Sequence, residues 1–311
     1  MKLILANNQS KQFRAFYENL QAHVTEPFHY EPYESLLFLF DTNRSPSIEV
    51  TCLATGHSLR DYNGIYINGY LSTYELAAAT AICCEALDIP YVNKELSSAP
   101  SLSKLTGCAK LASAGVRMPY TLAGTKNALL QLTNDHTANL RFPAVLKRAD
   151  ADRGIDNHKV VSLEDVRNLL EGHPPRSLWI LQDYIENDGF YLVTYYHSKP
   201  VYAIFRSLEK RPDGNEQKSH MYKPKGGANA VLLAPEDVPK ELLATATRAI
   251  QAMNRQIGSV DCIYSKEAGL TYVLEVNYNP QLVTIETFKD VRVDAFIDGI
   301  SKIGHEDIDK K

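Results

Sequence analysis

Apolar and polar positions change period several times along this chain, and each change marks an element. Residues 2–6 form a short apolar run that reads as a strand. Residues 11–23 carry Phe13, Phe16, Tyr17 and Leu20 on one side of a helical pattern. Residues 34–40 are rich in Leu and Phe, and residues 48–54, 64–70 and 89–93 are strand candidates. Between the last two lies residues 73–87, which predicts an amphipathic helix whose capping box would be Ser72 and Glu75. Strands alternating with helices over residues 1–98 predict a small parallel α/β lobe.

The polar, Pro-interrupted stretch 97–103 reads as a lobe boundary. Ser103 then opens a helix over 104–114 that Gly115 stops, with Pro119 beyond. A helix is predicted over 125–132 and a strand over 142–147 that ends in Lys147. The loop 148–157 is rich in Asp and Arg and contains Gly154; a strand (158–161) and a helix (164–170) follow it. Residues 179–185 read as a strand interrupted by Gln182 and Asp183, and 190–196 with 201–205 as a hairpin. Residues 206–227 are long, polar and basic, and helices are predicted over 240–253 and 290–303. The lobes implied are 1–98, 99–178 and 179–311.

Residues 258–280 form a second hairpin, two apolar runs around a polar turn containing Gly269. Glu275 and Asn277 are two apart on a strand and share a face. With a loop over 266–270, Asp261 stands opposite Glu275. Two carboxylates and an amide oxygen then converge where Val260, Ile263, Val273 and Val276 predict burial. Such a set suits Mg²⁺ (or Mn²⁺) bound together with nucleotide phosphates. Lys147, ending a buried strand before a Gly-containing loop, suits a phosphate clamp; alone it reads as a surface lysine.

Composition changes this picture little. The 311 residues are 44% hydrophobic and 23% charged, with net charge −4, which is ordinary for a globular chain and points to neither nucleic acid nor a membrane surface. No apolar run approaches the ~20 residues that cross a bilayer, and the N-terminal run is too short for a signal peptide. Five cysteines without C-x-x-C spacing predict reduced, buried thiols and a cytoplasmic location. The first lobe has no G-x-G-x-x-G turn, which argues against a dinucleotide fold.

Taken in order, four stretches resemble the ATP-grasp superfamily, nearest to ribosomal-protein glutamate ligases and glutathione synthetase relatives. They are Lys104 onward to Pro119, the strand and loop from Phe142 to Gly154, Leu181-Gln182-Asp183-Tyr184-Ile185, and the pair Gly258-Ser259-Val260-Asp261 with Leu274-Glu275-Val276-Asn277. The resemblance implies an N-terminal parallel α/β lobe followed by two α+β lobes holding ATP between them. It implies that Lys104, Lys147, Gly154, Gln182, Asp183, Tyr184 and Ile185 bind ATP and that Asp261, Glu275 and Asn277 hold Mg²⁺. It further implies a carboxylate–amine ligase working through an acyl phosphate, with residues 150–155 as a lid hinged near Gly154. The expected partners are a small-molecule or peptide substrate carrying a carboxylate and an amine co-substrate; a homo-oligomer is compatible with this.

Three departures stand out. The strand Tyr191-Leu192-Val193 lacks the acid and arginine that family members carry there. The phosphate loop is poor in glycine and rich in aspartate. Lys225-Gly226-Gly227 stands where an Arg-Gly-Gly segment is usual, which makes Lys225 and Arg206 the catalytic candidates, with Arg211, His220 and Lys223 as further substrate or phosphate contacts. A nucleotide-binding regulator or scaffold that has lost catalysis, and a small-molecule kinase on the same fold, are the alternative readings.

Overall fold

The computed structural model describes residues 1–7, 10–40, 47–68, 73–98, 103–135, 137–149, 156–207, 230–265, 267–278 and 288–304. The N-terminal lobe contains β1 (Lys2–Leu5), α1 (Lys11–Gln21), β2 (Phe28–Glu31), β3 (Leu36–Phe40), β4 (Ile48–Cys52), β5 (His57–Ser58), β6 (Ile65–Ile67), α2 (Tyr74–Ala86) and β7 (Tyr91–Val92). Its main sheet is parallel, in the order β2-β1-β6-β7, and β3-β4-β5 form a separate antiparallel sheet.

Every residue of β1 and β6 is buried, as expected for a parallel sheet covered on both faces. Side chains alternate between the two faces. Leu3, Leu5, Ile65 and Ile67 pack with Ala77, Ala81 and Cys84 of α2. Ile4, Tyr66 and Val92 pack with Tyr17 and Leu20 of α1 and with Phe296 and Ile300 near the C-terminus.

The expectation of an amphipathic α2 needs correction. Its buried side consists of small residues, Ala77, Thr80, Ala81, Cys83 and Cys84, while Ile82 is 53% exposed. Small side chains let the helix approach the sheet closely, so its buried face is not its bulkiest one. Thr73 occupies the N-cap; Ser72 lies outside the described residues.

Next come α3 (Lys104–Ser113), β8 (Thr121–Thr125), α4 (Lys126–Leu130), β9 (Ala144–Arg148), β10 (Asn157–Val160), α5 (Leu163–Leu170) and β11 (Leu178–Asp183). An antiparallel sheet runs β10-β9-β11-β8, with Leu146, Trp179 and Leu181 packed on Leu129, Val166 and Leu170 of α4 and α5. The helix expected over 125–132 is confined to α4, because Thr121–Thr125 pairs with β11.

The last lobe holds β12 (Gly189–Tyr196), β13 (Lys199–Ser207), β14 (Ala230–Leu233), α6 (Lys240–Ala252), β15 (Ile257–Ser265), β16 (Leu270–Asn277) and α7 (Lys289–Ser301). Its antiparallel sheet runs β14-β13-β12-β15-β16. One face, with Val193, Ala203, Val260, Cys262 and Val273, is covered by Leu242, Ala246, Ala249 and Ile250 of α6.

Hydrogen bonding corrects the expected cut at 178/179. β11 belongs wholly to the central sheet, so the crossing between sheets falls at residues 184–188. α3, expected with the central lobe, packs Leu111 into the core of the last lobe, and Val273 N–H donates to Arg117 O at 2.9 Å.

The orientation of α2 can be checked by denaturant unfolding. Ile82→Lys should change stability by no more than ~0.5 kcal/mol, whereas Ala77→Leu, at 0% exposure, should destabilise by about 1–3 kcal/mol through overpacking.

Candidate active site

The site is built on the face of the last sheet that points away from α6. Asp261, Leu192 and Ile204 stand in one row across β15, β12 and β13, with Glu275 opposite Asp261 on β16. Arg206, two residues beyond Ile204, shares that face. The Asp261–Glu275 pairing matches the expected one, but the route differs. The connection begins after Ser265 and β16 starts at Leu270, giving Ser265↔Leu270 and Cys262↔Val273. A register shift between Asp261 and Cys262 leaves Leu274 as an extra residue. Without it Asp261 would face Leu274, and Glu275 and Asn277 would point toward α6.

Asn277 Nδ2 donates to Asp261 Oδ2 at 2.9 Å, leaving the amide oxygen of Asn277 as the group's other polar atom. Burial and, after it, the neighbouring Glu275 charge push Asp261 up to about 7; Asn277, Arg206 and Lys147 act in the opposite sense.

Two lysines reach Glu275 from other elements. Ser103 caps α3, its side chain accepting from Thr106 N–H, and so fixes the first turn that carries Lys104. Lys104 Nζ lies 3.8 Å from Glu275 Oε1. Lys147, paired with Ile180 on the central sheet, lies on the face opposite the α4–α5 core. Burial lowers its pKa, and Glu275 and Asp261 oppose that shift. Cys108, one turn after Lys104 and on the same face of α3, feels both Lys147 and Glu275, and burial pushes its thiol up. The sequence reading treated Cys108 only as a buried thiol; its spacing of four from Lys104 was the signal that places it here.

The structure therefore brings together Lys104, Lys147, Arg206, Asp261, Glu275 and Asn277. The ATP-binding candidates Gln182, Asp183, Tyr184 and Ile185 have protein partners. Gln182 Nε2 donates to Thr121 Oγ1 at 2.8 Å, and Asp183 Oδ1 accepts from Arg141 N–H at 2.8 Å. Tyr184 N–H donates to Pro143 O at 3.1 Å, and its ring lies 3.9 Å from Lys159 Nζ. Ile185 O accepts from Asn187 Nδ2 at 2.8 Å. Gly154, the lid 150–155, Arg211, His220, Lys223 and Lys225 lie outside the described residues.

The donor set fits a hard divalent cation. Two like charges are crowded together with burial favouring the protonated form, and a cation relieves both effects. Among the described residues no group of three or more His, Cys, Asp or Glu side chains is placed to hold a metal. Two carboxylates plus an amide is the smaller protein share expected where phosphates complete the coordination of Mg²⁺.

A cleft between two α+β lobes, with Lys147 on one side and Lys104, Asp261, Glu275 and Asn277 on the other, defines a protein of the ATP-grasp fold. Residues 102–301 match the model of the RimK-like ATP-grasp domain, and the chain belongs to that family. No curated protein matches the sequence. Among solved structures it is similar to D-alanine–D-alanine ligase from Bacillus anthracis complexed with ATP, at 17% identity over 99% of each chain, TM-score 0.58. It is similar also to the ATP-grasp ligase PsnB complexed with minimal precursor, Mg and ADP, at 13% identity over 96% of each chain, TM-score 0.65. A RimK domain ATP-grasp protein from Sphaerobacter thermophilus matches at 15% identity over 96% of this chain and 98% of that one, TM-score 0.57. At these identities the likeness is one of fold.

Two outcomes are expected at this site. Asp261, titrating at about 7, must lose its proton to bind a metal, so Mn²⁺ affinity should fall about tenfold per pH unit below ~7 and level off above it. Asp261→Asn should abolish that slope, as read by Mn²⁺ titration. The raised value also means that this group's contribution to the stability of the metal-free protein declines as pH rises from about 4 to about 7. Deletion of Leu274 joins the Cys262↔Val273 and Asp261↔Glu275 pairs in regular alternation, so the shortened chain should keep its Mn²⁺ binding.

Proposed function

We propose that the protein is an ATP-dependent carboxylate–amine ligase that forms a peptide-like bond through an acyl phosphate, acting on an amino acid or a peptide. One observation carries the reading: Lys104 and Lys147, from different elements, both converge on Glu275 beside Asp261 and Asn277. D-alanine–D-alanine ligase and a PsnB complex with its precursor peptide are among the similar structures, which supports an amino-acid or peptide substrate.

Phosphoryl transfer depends chiefly on positioning and on neutralising charge. A magnesium ion held by Asp261, Glu275 and Asn277 would supply that neutralisation at the ATP phosphates. Lys104 and Lys147 exchange their contact with Glu275 for phosphate oxygens as point charges. Arg206, on the same sheet face as Asp261, presents a planar fork suited to a carboxylate or phosphate. An oxygen of the substrate carboxylate attacks the γ-phosphorus and ADP leaves. The amine then attacks the acyl carbon, loses a proton, and phosphate departs. Gln182 and Asp183 end β11, and Tyr184 and Ile185 open the crossing that follows it; this position at the edge of the cleft supports assigning the four to the nucleoside. Lys225 and the loop holding Gly154 are assigned to the phosphates and the lid by position in the sequence alone.

A second reading rests on Leu192. This apolar residue stands beside Asp261 on the cleft face, on the strand where the family carries charge. A nucleotide-binding regulator would tolerate it. A cytoplasmic location belongs to the proposal and is supported by five free thiols, Cys52, Cys83, Cys84, Cys108 and Cys262. No helix among the described residues is long and apolar enough to cross a membrane.

The test is ATP turnover across amino acids and peptides, with product mass as readout. ADP release that requires both a carboxylate and an amine, with loss of water in the product mass, is expected. A phosphorylated product without an amide indicates a kinase, and nucleotide binding without turnover indicates the regulator. Asp261→Asn and Glu275→Gln should each lower kcat/KM about 100-fold or more, at or above the loss caused by removing the outer partners of metal ligands. Lys147→Ala should raise the KM for ATP about tenfold, the loss of one charge-assisted contact of ~1.5 kcal/mol.

A further inference from the structure

We infer that Glu95 and Arg255 are positioning residues for the metal-binding strand, pinning β16 between Glu275 and Asn277 to the N-terminal lobe. The inference rests on the ligase reading for the role of those two ligands. Arg255 lies between α6 and β15 and is 1% exposed; Glu95, in the 3-10 turn Lys94–Ser97 that follows β7, is 0% exposed. Arg255 Nε donates to Glu95 Oε1 at 2.9 Å, and Arg255 Nη1 donates to Val276 O at 2.9 Å. Val276 is the residue between the two ligands. Neither Glu95 nor Arg255 touches a reacting atom, so both act through the strand.

A buried ion pair is weak evidence for stability, because desolvating two charges opposes their attraction; fixing a register is its better attested use. The surroundings agree with that use. Gln256 Oε1 accepts from the N–H groups of Asn93 and Lys94, both at 2.8 Å, so adjacent residues 255 and 256 grip the same turn. The Arg255 guanidinium lies 5.8 Å from the Tyr278 ring. Gly258 makes the approach possible: a Cβ there would sit 2.5 Å from Asn277 O and 2.9 Å from Arg255 Cδ.

β16 needs such a tie. Among the described strands it pairs only with β15, on its outer side Val273 N–H donates to Arg117 O, and its register shifts beside Asp261. An outer strand next to a bulge has the fewest ladder hydrogen bonds to hold its direction. Arg255 adds one from outside the ladder, at the residue where direction decides which way Glu275 and Asn277 point. The same tie makes the metal site sensitive to the N-terminal lobe.

The test uses the full chain with Mn²⁺ and the β,γ-imido analogue of ATP. Free Mn²⁺ is read by electron paramagnetic resonance, and amide hydrogen exchange is read over residues 271–277 in the metal-free protein. The pair Glu95→Met with Arg255→Met replaces the ions by apolar side chains, an exchange that often preserves folding. Arg255→Lys keeps a cation beside Glu95 but lacks the planar fork that reaches both Glu95 and Val276 O, and serves where the double variant does not fold. A folded variant should bind Mn²⁺ about 10–100-fold more weakly, with faster exchange over 271–277 and unchanged exchange over 189–196. Mn²⁺ affinity within about twofold of the parent, far inside that range, together with unchanged exchange, overturns the inference. If the parent chain itself binds no Mn²⁺ with the analogue, the ligase reading fails instead, and exchange over 271–277 alone decides whether the brace exists.

Discussion

Asp261 and Glu275 face one another on adjacent strands, and the desolvation of Asp261, reinforced by the neighbouring Glu275 charge, is the constraint to which the rest of the site answers. A half-buried carboxylate pair takes up a proton or draws in cations. This chain supplies cations from three directions: Lys104 from α3, Lys147 from the central sheet and Arg206 from β13. Asp261 still sits at about 7, so the protein groups alone leave the pair short of positive charge. A divalent ion with its nucleotide fits that shortfall, and the same lysines then have phosphates to contact.

The fold keeps this arrangement by sorting faces. In the last sheet, every second residue enters the core beneath α6, and the intervening ones face the cleft. The central sheet does the same, with Leu146 and Leu181 toward its helices and Lys147 on the other side. The two cleft faces meet at Glu275. The bulge that takes up Leu274 in β16 keeps Glu275 on the cleft side and not in the core. The N-terminal lobe joins through buried Glu95 and Arg255, which reach β16 at Val276 between Glu275 and Asn277.

Much of this was legible in the residues. The hairpin announced itself through two apolar runs and a two-residue spacing of Glu275 and Asn277, because strand periodicity is local. Lys104 and Lys147 were found from order along the chain, and the structure places both at Glu275. The bulge was not legible: counting from a loop over 266–270 reaches the right pairing by the wrong register, since a one-residue shorter connection and a one-residue insertion cancel. The helix over 73–87 was legible, but its amphipathic character was not as expected, because it packs through Ala and Cys while Ile82 is exposed. The crossing between lobes falls later than expected because the motif around Gln182 and Asp183 ends a strand of the central sheet before the chain leaves it. Glu95 and Arg255 lie 160 residues apart, and only the fold brings such a pair together.

The central claim is that the Asp261–Glu275 pair binds the metal that accompanies a nucleotide. Its most direct measurement is anomalous scattering from crystals grown with Mn²⁺ and a non-hydrolysable ATP analogue. The account predicts one or two Mn²⁺ peaks about 2.1 Å from carboxylate oxygens of Asp261 and Glu275, with the amide oxygen of Asn277 in the same shell and analogue phosphates completing it. Nucleotide density in the cleft with Mn²⁺ absent from these side chains, or bound elsewhere on the chain, would contradict it.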